Sequence, residues 1–139
     1  MLMTIELHTP RGDALVDITE RVRAAVAEAV SRSRIEEGLC ILFVPHTTAA
    51  ITINSALDPA TPQDIIADLN RLVPKRVDFA HQYDTPADAA GHIKSALIGH
   101  DLTLIISEGK LLLGGSQSIL FYEFDGPRAR RVQVKIMKG

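Results

Sequence analysis

Ile18, Val22, Val26 and Val30 recur every fourth residue early in the chain. On a helix of 3.6 residues per turn that spacing makes one apolar stripe. Asp17, with Glu20 three residues on, has the form of a capping box and predicts where the helix starts; Gly38 ends the segment. Leu39 to Val44 is an unbroken apolar run too short for a helix, and predicts a buried strand. Ala50 to Asn54 predicts a second short strand. Thr61-Pro62-Gln63-Asp64 and Thr85-Pro86-Ala87-Asp88 share one grammar, a Thr cap with Pro at the first helical position. The first of these helices closes at Pro74 and the second runs towards Gly99.

On that last helix Ala89, Ile93, Ala96 and Leu97 predict the apolar face. His92 then lies at its edge, where a side chain can reach into a cleft, and Lys94 reads as a solvated lysine. Gly91 costs a helix ~1 kcal/mol relative to Ala and reads as a point of close approach.

Strand patterns fill the rest. Met3 to His8 opens the chain as a strand, and Pro10-Arg11-Gly12-Asp13 turns it. Leu102 to Ile106, Leu111 to Leu113, Ile119 to Phe124 and Arg131 to Met137 follow the helices, with turns at Glu108-Gly109-Lys110 and Asp125-Gly126-Pro127. Helices grouped between strands at both ends predict an α+β fold rather than an alternating parallel α/β one.

Composition narrows the class. The 139 residues suit one domain, residues 1–139, and 46% of them are hydrophobic, enough for a real core. Aromatics are only 4% and Trp is absent, so that core is aliphatic. A net charge of −2 lacks the basic excess that neutralises phosphates, which argues against nucleic acid as a partner. The basic tail from Arg128 to Lys138 alternates with Val132, Val134 and Ile136, the pattern of a strand with one charged face. Cys40 is the one cysteine, inside an apolar run, so it reads as a buried inert thiol. Glu6 and His8 interrupt any signal-peptide core, and no apolar run approaches the ~20 residues of a membrane span. The expectation is a cytoplasmic protein with no membrane partner.

Candidate chemistry gathers after the buried strand, in Pro45-His46-Thr47-Thr48-Ala49. Polar residues at the end of a core strand are where rigid scaffolds present function, and His46 can act as acid, base or metal ligand near neutral pH. A loop histidine that only bonds backbone is the competing reading. Asn54 ends the next strand, and Asp58 before Pro59 reads first as a turn residue bonding its own backbone. His81 lies between two helices, while His8 and His100 have no supporting context and read as surface residues. There is no HExxH or CxxC spacing, so a metal site has to be assembled from distant segments, as His46, His81 and His92 would do. No phosphate loop is present, and Gly114-Gly115-Ser116 is too short to be one alone.

Three blocks together carry a resemblance. His46 to Pro59 is similar to the block HTTAALTINEN-x-DP, with Asp64 at a following aspartate position. His92 to Gly99 resembles an HIK-x-x-L-x-G helix. Leu113, Gly114, Gln117, Ile119, Glu123, Asp125, Gly126, Pro127 and Arg128 match LGTWQ-x-I-x-x-x-E-x-DGPR. In this order and spacing they resemble the YjbQ-like family, also called the secondary thiamine-phosphate synthase family. The chain departs from its pattern at Ser55, where the family has Glu, and at Gly115-Ser116, where it has Thr-Trp.

The resemblance implies a compact α+β subunit with a mixed sheet and helices packed on it, assembled as a homotrimer. It implies feeble thiamine-phosphate synthase activity on a small phosphorylated metabolite. It implies His46, His92 and Asp58 as catalytic groups and Thr47, Thr48, Asn54, Lys94, Gln117, Glu123 and Arg128 as substrate-binding ones. It also implies His46, His81 and His92 as ligands of a divalent metal, zinc or magnesium. In thiamine-phosphate synthesis the charge of the leaving pyrophosphate has to be stabilised, by Lys94, Arg128 or the cation, while His46 and His92 bind metal or donate protons to phosphate oxygens. Two other classes fit the same residues: a metal-dependent hydrolase of a small anionic metabolite, and a non-catalytic trimer that binds metal or metabolite.

Overall fold

A computed structural model describes residues 1–139. In chain order the elements are β1 (Leu2–His8), β2 (Gly12–Asp17), α1 (Thr19–Ser33), β3 (Gly38–Phe43), β4 (Ala49–Asn54) and α2 (Ala60–Leu72). Then come α3 (Pro86–Ile98), β5 (Asp101–Ser107), β6 (Lys110–Leu112), β7 (Ser118–Gly126) and β8 (Ala129–Lys138). The α+β class holds. Where one mixed sheet is expected, the strands form two sheets, β1-β8-β3-β5-β6 and β2-β7-β4, and every pairing is antiparallel. Only β5 and β6 are joined by a short hairpin; the other five pairings bring together strands distant in the chain, and none of the three helices links two parallel neighbours.

β7 lies at the centre of the smaller sheet and is buried on both faces. Ile119 and Phe121 point into the main core with Ile51 of β4, the stripe Val22, Val26 and Ala29 of α1, and the inner face of the larger sheet. Tyr122 and Phe124 point the other way, into a smaller core with Leu69 of α2, Phe79, and Ala89 and Ala90 of α3. Cys40 sits in the main core, fully buried, and burial pushes its thiol up to about 11. No helix is long and apolar enough to cross a membrane.

Three local expectations give way to tertiary contacts. Pro10 to Asp13 is not merely a turn: Gly12 begins β2, with φ at +79° and a register shift between Gly12 and Ala14, a bulge that turns Asp13 inward. Asp17 ends β2 and accepts from the Thr19 amide at 3.0 Å and its hydroxyl at 2.6 Å, while Glu20 turns to Arg23 instead of closing a capping box. α2 opens one residue before Thr61: Asp58 Oδ1 takes the Ala60 amide at 2.9 Å, and its carbonyl takes the Thr61 amide. Thr85, by contrast, caps α3 by accepting from the Asp88 amide.

The largest correction concerns α3. Ala89 is buried as expected, but Ile93 and Leu97 are exposed, and the rest of the buried face is Ala90, Gly91, Lys94 and Ser95. Small residues win because they let the helix lie close on β4 and β7. A Cβ on Gly91 would stand 3.3 Å from Thr48 and Phe124, and Ser95 Oγ donates to the Ala49 carbonyl at 2.8 Å. Lys94 is therefore not a solvated lysine. It is 1% exposed, and its ammonium is met by Asp13 at 2.9 Å and by Asn70. A buried charge survives only when paired and hydrogen-bonded, and β2 and α2 supply the partners.

Candidate functional site

α3 carries Asp88 and His92 four residues apart, so both project from one face of its first turns. His81, from the segment before the helix, reaches the same place. Asp88 Oδ2 lies 2.9 Å from His81 Nε2 and 3.2 Å from His92 Nε2. The two imidazoles meet edge to face with centroids 5.1 Å apart. One ligand atom from each of the three residues falls within 4.8 Å of the others. The carboxylate is largely covered, at 13% exposure, while the histidines are open at 45% and 40%. A held acid under two accessible rings is a site whose outer side a ligand can reach.

Arg128 stands beside this group. The β7–β8 turn places it where Asp125 binds it, Nη2 to Oδ2 at 2.9 Å and Nε to the carbonyl. Hydrogen bonding and charge from Asp125, with further pull from Asp84 and Asp88, raise its already high pKa. Its side chain is half exposed and keeps free donors. The sequence named Arg128 and the two histidines but passed over Asp88, because Thr85 to Asp88 also reads as a helix cap. An aspartate and a histidine at i and i+4 was the available signal.

Glu123 does not line this surface. It is fully buried, and both oxygens are used: Oε1 by Thr9 at 2.6 Å and Arg130 Nε at 2.8 Å, Oε2 by Arg130 Nη2 at 2.5 Å and the amides of Phe124 and Asp125. Burial alone would raise its carboxyl; the bonds from Arg130, Thr9 and the Asp125 amide, with the guanidinium charge, outweigh it and hold the group below the usual range. Arg130 also reaches the Thr48 hydroxyl at 2.9 Å and its carbonyl. One buried ion pair thus fixes both the loop that carries His46 and the turn that carries Asp125 and Arg128. Arg130 is a residue that sequence reasoning missed, hidden in a tail whose charges otherwise face out.

His46 lies outside the His81–Asp88–His92 group. Its Nε2 accepts the Arg131 amide at 2.9 Å. Thr48 is buried and Thr47 exposed. Asp58, as above, opens α2. Asn54 and Gln117 stand elsewhere: with Ile53, Ser55 and Ser116 they line an open groove of about 280 Å³. Asn54 pairs with Ser118 and Ala49 with Glu123 on the same ladder. Five residue steps at ~3.4 Å put roughly 17 Å between those ends. Asn54 and Gln117 thus sit at the opposite end of this ladder from Glu123. Both departures, Ser55 and Ser116, lie on this far groove, away from the histidines.

A two-sheet α+β domain with clustered imidazole and carboxylate groups is the class that fold and geometry define. The family model described as UPF0047 protein YjbQ-like matches residues 3–139, and the chain belongs to that family. A UPF0047 protein of Methanocaldococcus jannaschii is 44% identical over 99% of this chain and 94% of its own length. YugU, a UPF0047 protein of Bacillus subtilis, is 36% identical over 99% of each. The crystal structure of a YbjQ-like protein of unknown function from Sulfolobus solfataricus superposes with a TM-score of 0.90 at 31% identity, covering 100% of this chain and 97% of that one.

Proposed function

We propose that His81, Asp88 and His92 hold a divalent metal and that the site acts on a small phosphorylated compound. The observation that carries this is the convergence of three ligand atoms within 4.8 Å beside the half-exposed Arg128. The donor set fits. Two imidazoles and one carboxylate suit zinc or another first-row ion better than magnesium, which prefers oxygen ligands and its own waters. Three protein ligands also leave positions open, as catalytic zinc sites do. A bound cation would supply Lewis-acid polarisation of a phosphoryl oxygen.

The chain's own groups do the rest. Arg128 offers a planar fork that matches phosphate, while Asp125 holds it in place. Lys94 is spent on Asp13 and Asn70 and does not reach a leaving group. Within this reading the specific reaction is a weak thiamine-phosphate synthesis. A thiazole nitrogen bonds to a pyrimidine methylene carbon, the carbon–oxygen bond breaks, and pyrophosphate leaves with the electron pair. Arg128 meets that charge. Metal-dependent hydrolysis of a phosphate ester draws on the same groups and is the second reading, favoured by the open face of the histidines.

We also propose the homotrimer that the resemblance implies. Met137, Leu39, Ile105 and Leu112 stand side by side across β8, β3, β5 and β6, exposed, and this contiguous apolar surface supports self-association; Ile93 and Leu97 are exposed separately on α3.

Assay of purified protein with a pyrimidine-methyl pyrophosphate plus a thiazole phosphate, and separately with a phosphomonoester, distinguishes the reactions. Arg128→Ala is expected to lower whichever turnover is found by ~10-fold or more, with metal content unchanged. Turnover indifferent to Arg128 contradicts the assignment.

A further inference from the structure

β3 leaves the larger sheet before its partner does. Phe43 pairs with Gln133, and continuing that register brings Pro45 opposite Arg131. Pro45 ends the ladder's regular course, and the Arg131 amide, which points towards the departing strand, is taken by the His46 ring instead, Nε2 accepting at 2.9 Å. A ring nitrogen that accepts an amide hydrogen carries no proton of its own. The imidazole's one proton then sits on Nδ1, which makes no bond within the chain. The loop has little freedom to change this. Thr48, two residues on, is fixed through its carbonyl and hydroxyl by buried Arg130, and Val44 is fixed by the His100 carbonyl.

The groups around the ring act in the same direction. Burial, and then the charges of Arg130 and Arg131, lower the pKa of His46 against the opposing pull of Glu123. Two guanidinium groups beside a half-buried ring also make the surroundings favourable to an anion.

We propose that His46 is a fixed, neutral hydrogen-bond donor, presenting Nδ1–H to an anionic oxygen of a phosphate or carboxylate, and neither a metal ligand nor a general base. The tautomer follows from the fold alone; the choice of an oxyanion as the acceptor rests on the functional reading above. The role differs from those of His81 and His92, which both reach Asp88 through Nε2. It also gives Arg130 and Glu123 a task as positioning residues for this donor.

Two measurements test it. Long-range ¹⁵N–¹H correlation of the imidazoles at pH 7, with His46 assigned by its loss in His46→Ala, is expected to show a protonated Nδ1 and a bare Nε2. A protonated Nε2, or an imidazolium, overturns the proposal. Inorganic phosphate is the binding probe. His46→Ala is expected to weaken phosphate binding by about tenfold, the size of one charge-assisted hydrogen bond, while His46→Asn, whose amide nitrogen falls near Nδ1, stays within about threefold of wild type. Thermal melts establish that both variants are folded. Phosphate binding unaffected by His46→Ala, or absent in the wild type, overturns the donor role. Zinc binding lost on His46→Ala also overturns it, by making Nδ1 a ligand, yet leaves a metal site standing. A wild type that binds phosphate and shows the expected tautomer but takes up no zinc removes the metal reading and keeps this one.

Discussion

Lys94 Nζ lies 2.9 Å from Asp13 Oδ2, eighty-one residues away in sequence, and neither side chain reaches solvent to more than 5%. The pair ties α3 to β2, and Asn70 brings in α2. Two polar atoms close to it, Asp13 Oδ1 and the Tyr122 hydroxyl, are buried without a partner, so the cluster has no slack for losing another.

Replacing Lys94 with Met strands the Asp13 carboxylate in the small core. Breaking one side of a buried pair costs ~3–5 kcal/mol, which for a chain of this size lowers the melting temperature on the order of 10 °C. Differential scanning calorimetry measures it. Lys94→Met, Asp13→Ala and the double variant are expected to be strongly non-additive, because the second change removes the charge that the first left alone. A Lys94→Met protein that melts like wild type and loses only turnover returns the lysine to the substrate.

Glu123 gives the pair with Arg130 a pH signature. Its folded pKa is depressed, so the unfolded chain takes up the proton first. The stabilisation is present in full above the ordinary Glu value of 4.5 and is lost as pH falls from there through the folded value. The stability gap between wild type and Glu123→Gln, from urea melts, is therefore expected to be flat from pH 7 to pH 5 and to close below about pH 4.5. A gap that widens on acidification contradicts the pairing.

Where the residues decided structure locally, the pattern was readable. Thr85 capped α3, Cys40 was sealed in β3, and Gly91 proved to be a close approach. What failed was settled by partners far along the chain. Lys94 goes inward only because Asp13 and Asn70 wait for it, and Ile93 goes outward because the small face of α3 seats better on Thr48 and Phe124. β2 escaped notice because Gly12 and Asp13 speak for a turn, and the strand exists by pairing with β7. The candidate site shows the same division. His92 and Arg128 stand out by type and motif, while His81 lies outside the matching blocks and enters only through the family resemblance. Asp88 was masked by its place in a capping sequence, and Asn54 and Gln117, though part of matching blocks, fall at the far end of the β4–β7 ladder.

The central claim is that His81, Asp88 and His92 form one cation site, and isothermal titration of chelator-treated protein with zinc tests it most directly. The account predicts saturable binding of one ion per chain, weakened by ~100-fold or more in His81→Ala, Asp88→Asn and His92→Ala and unchanged in His46→Ala. A wild-type chain with no saturable zinc binding, or one whose affinity survives the loss of all three residues, contradicts it.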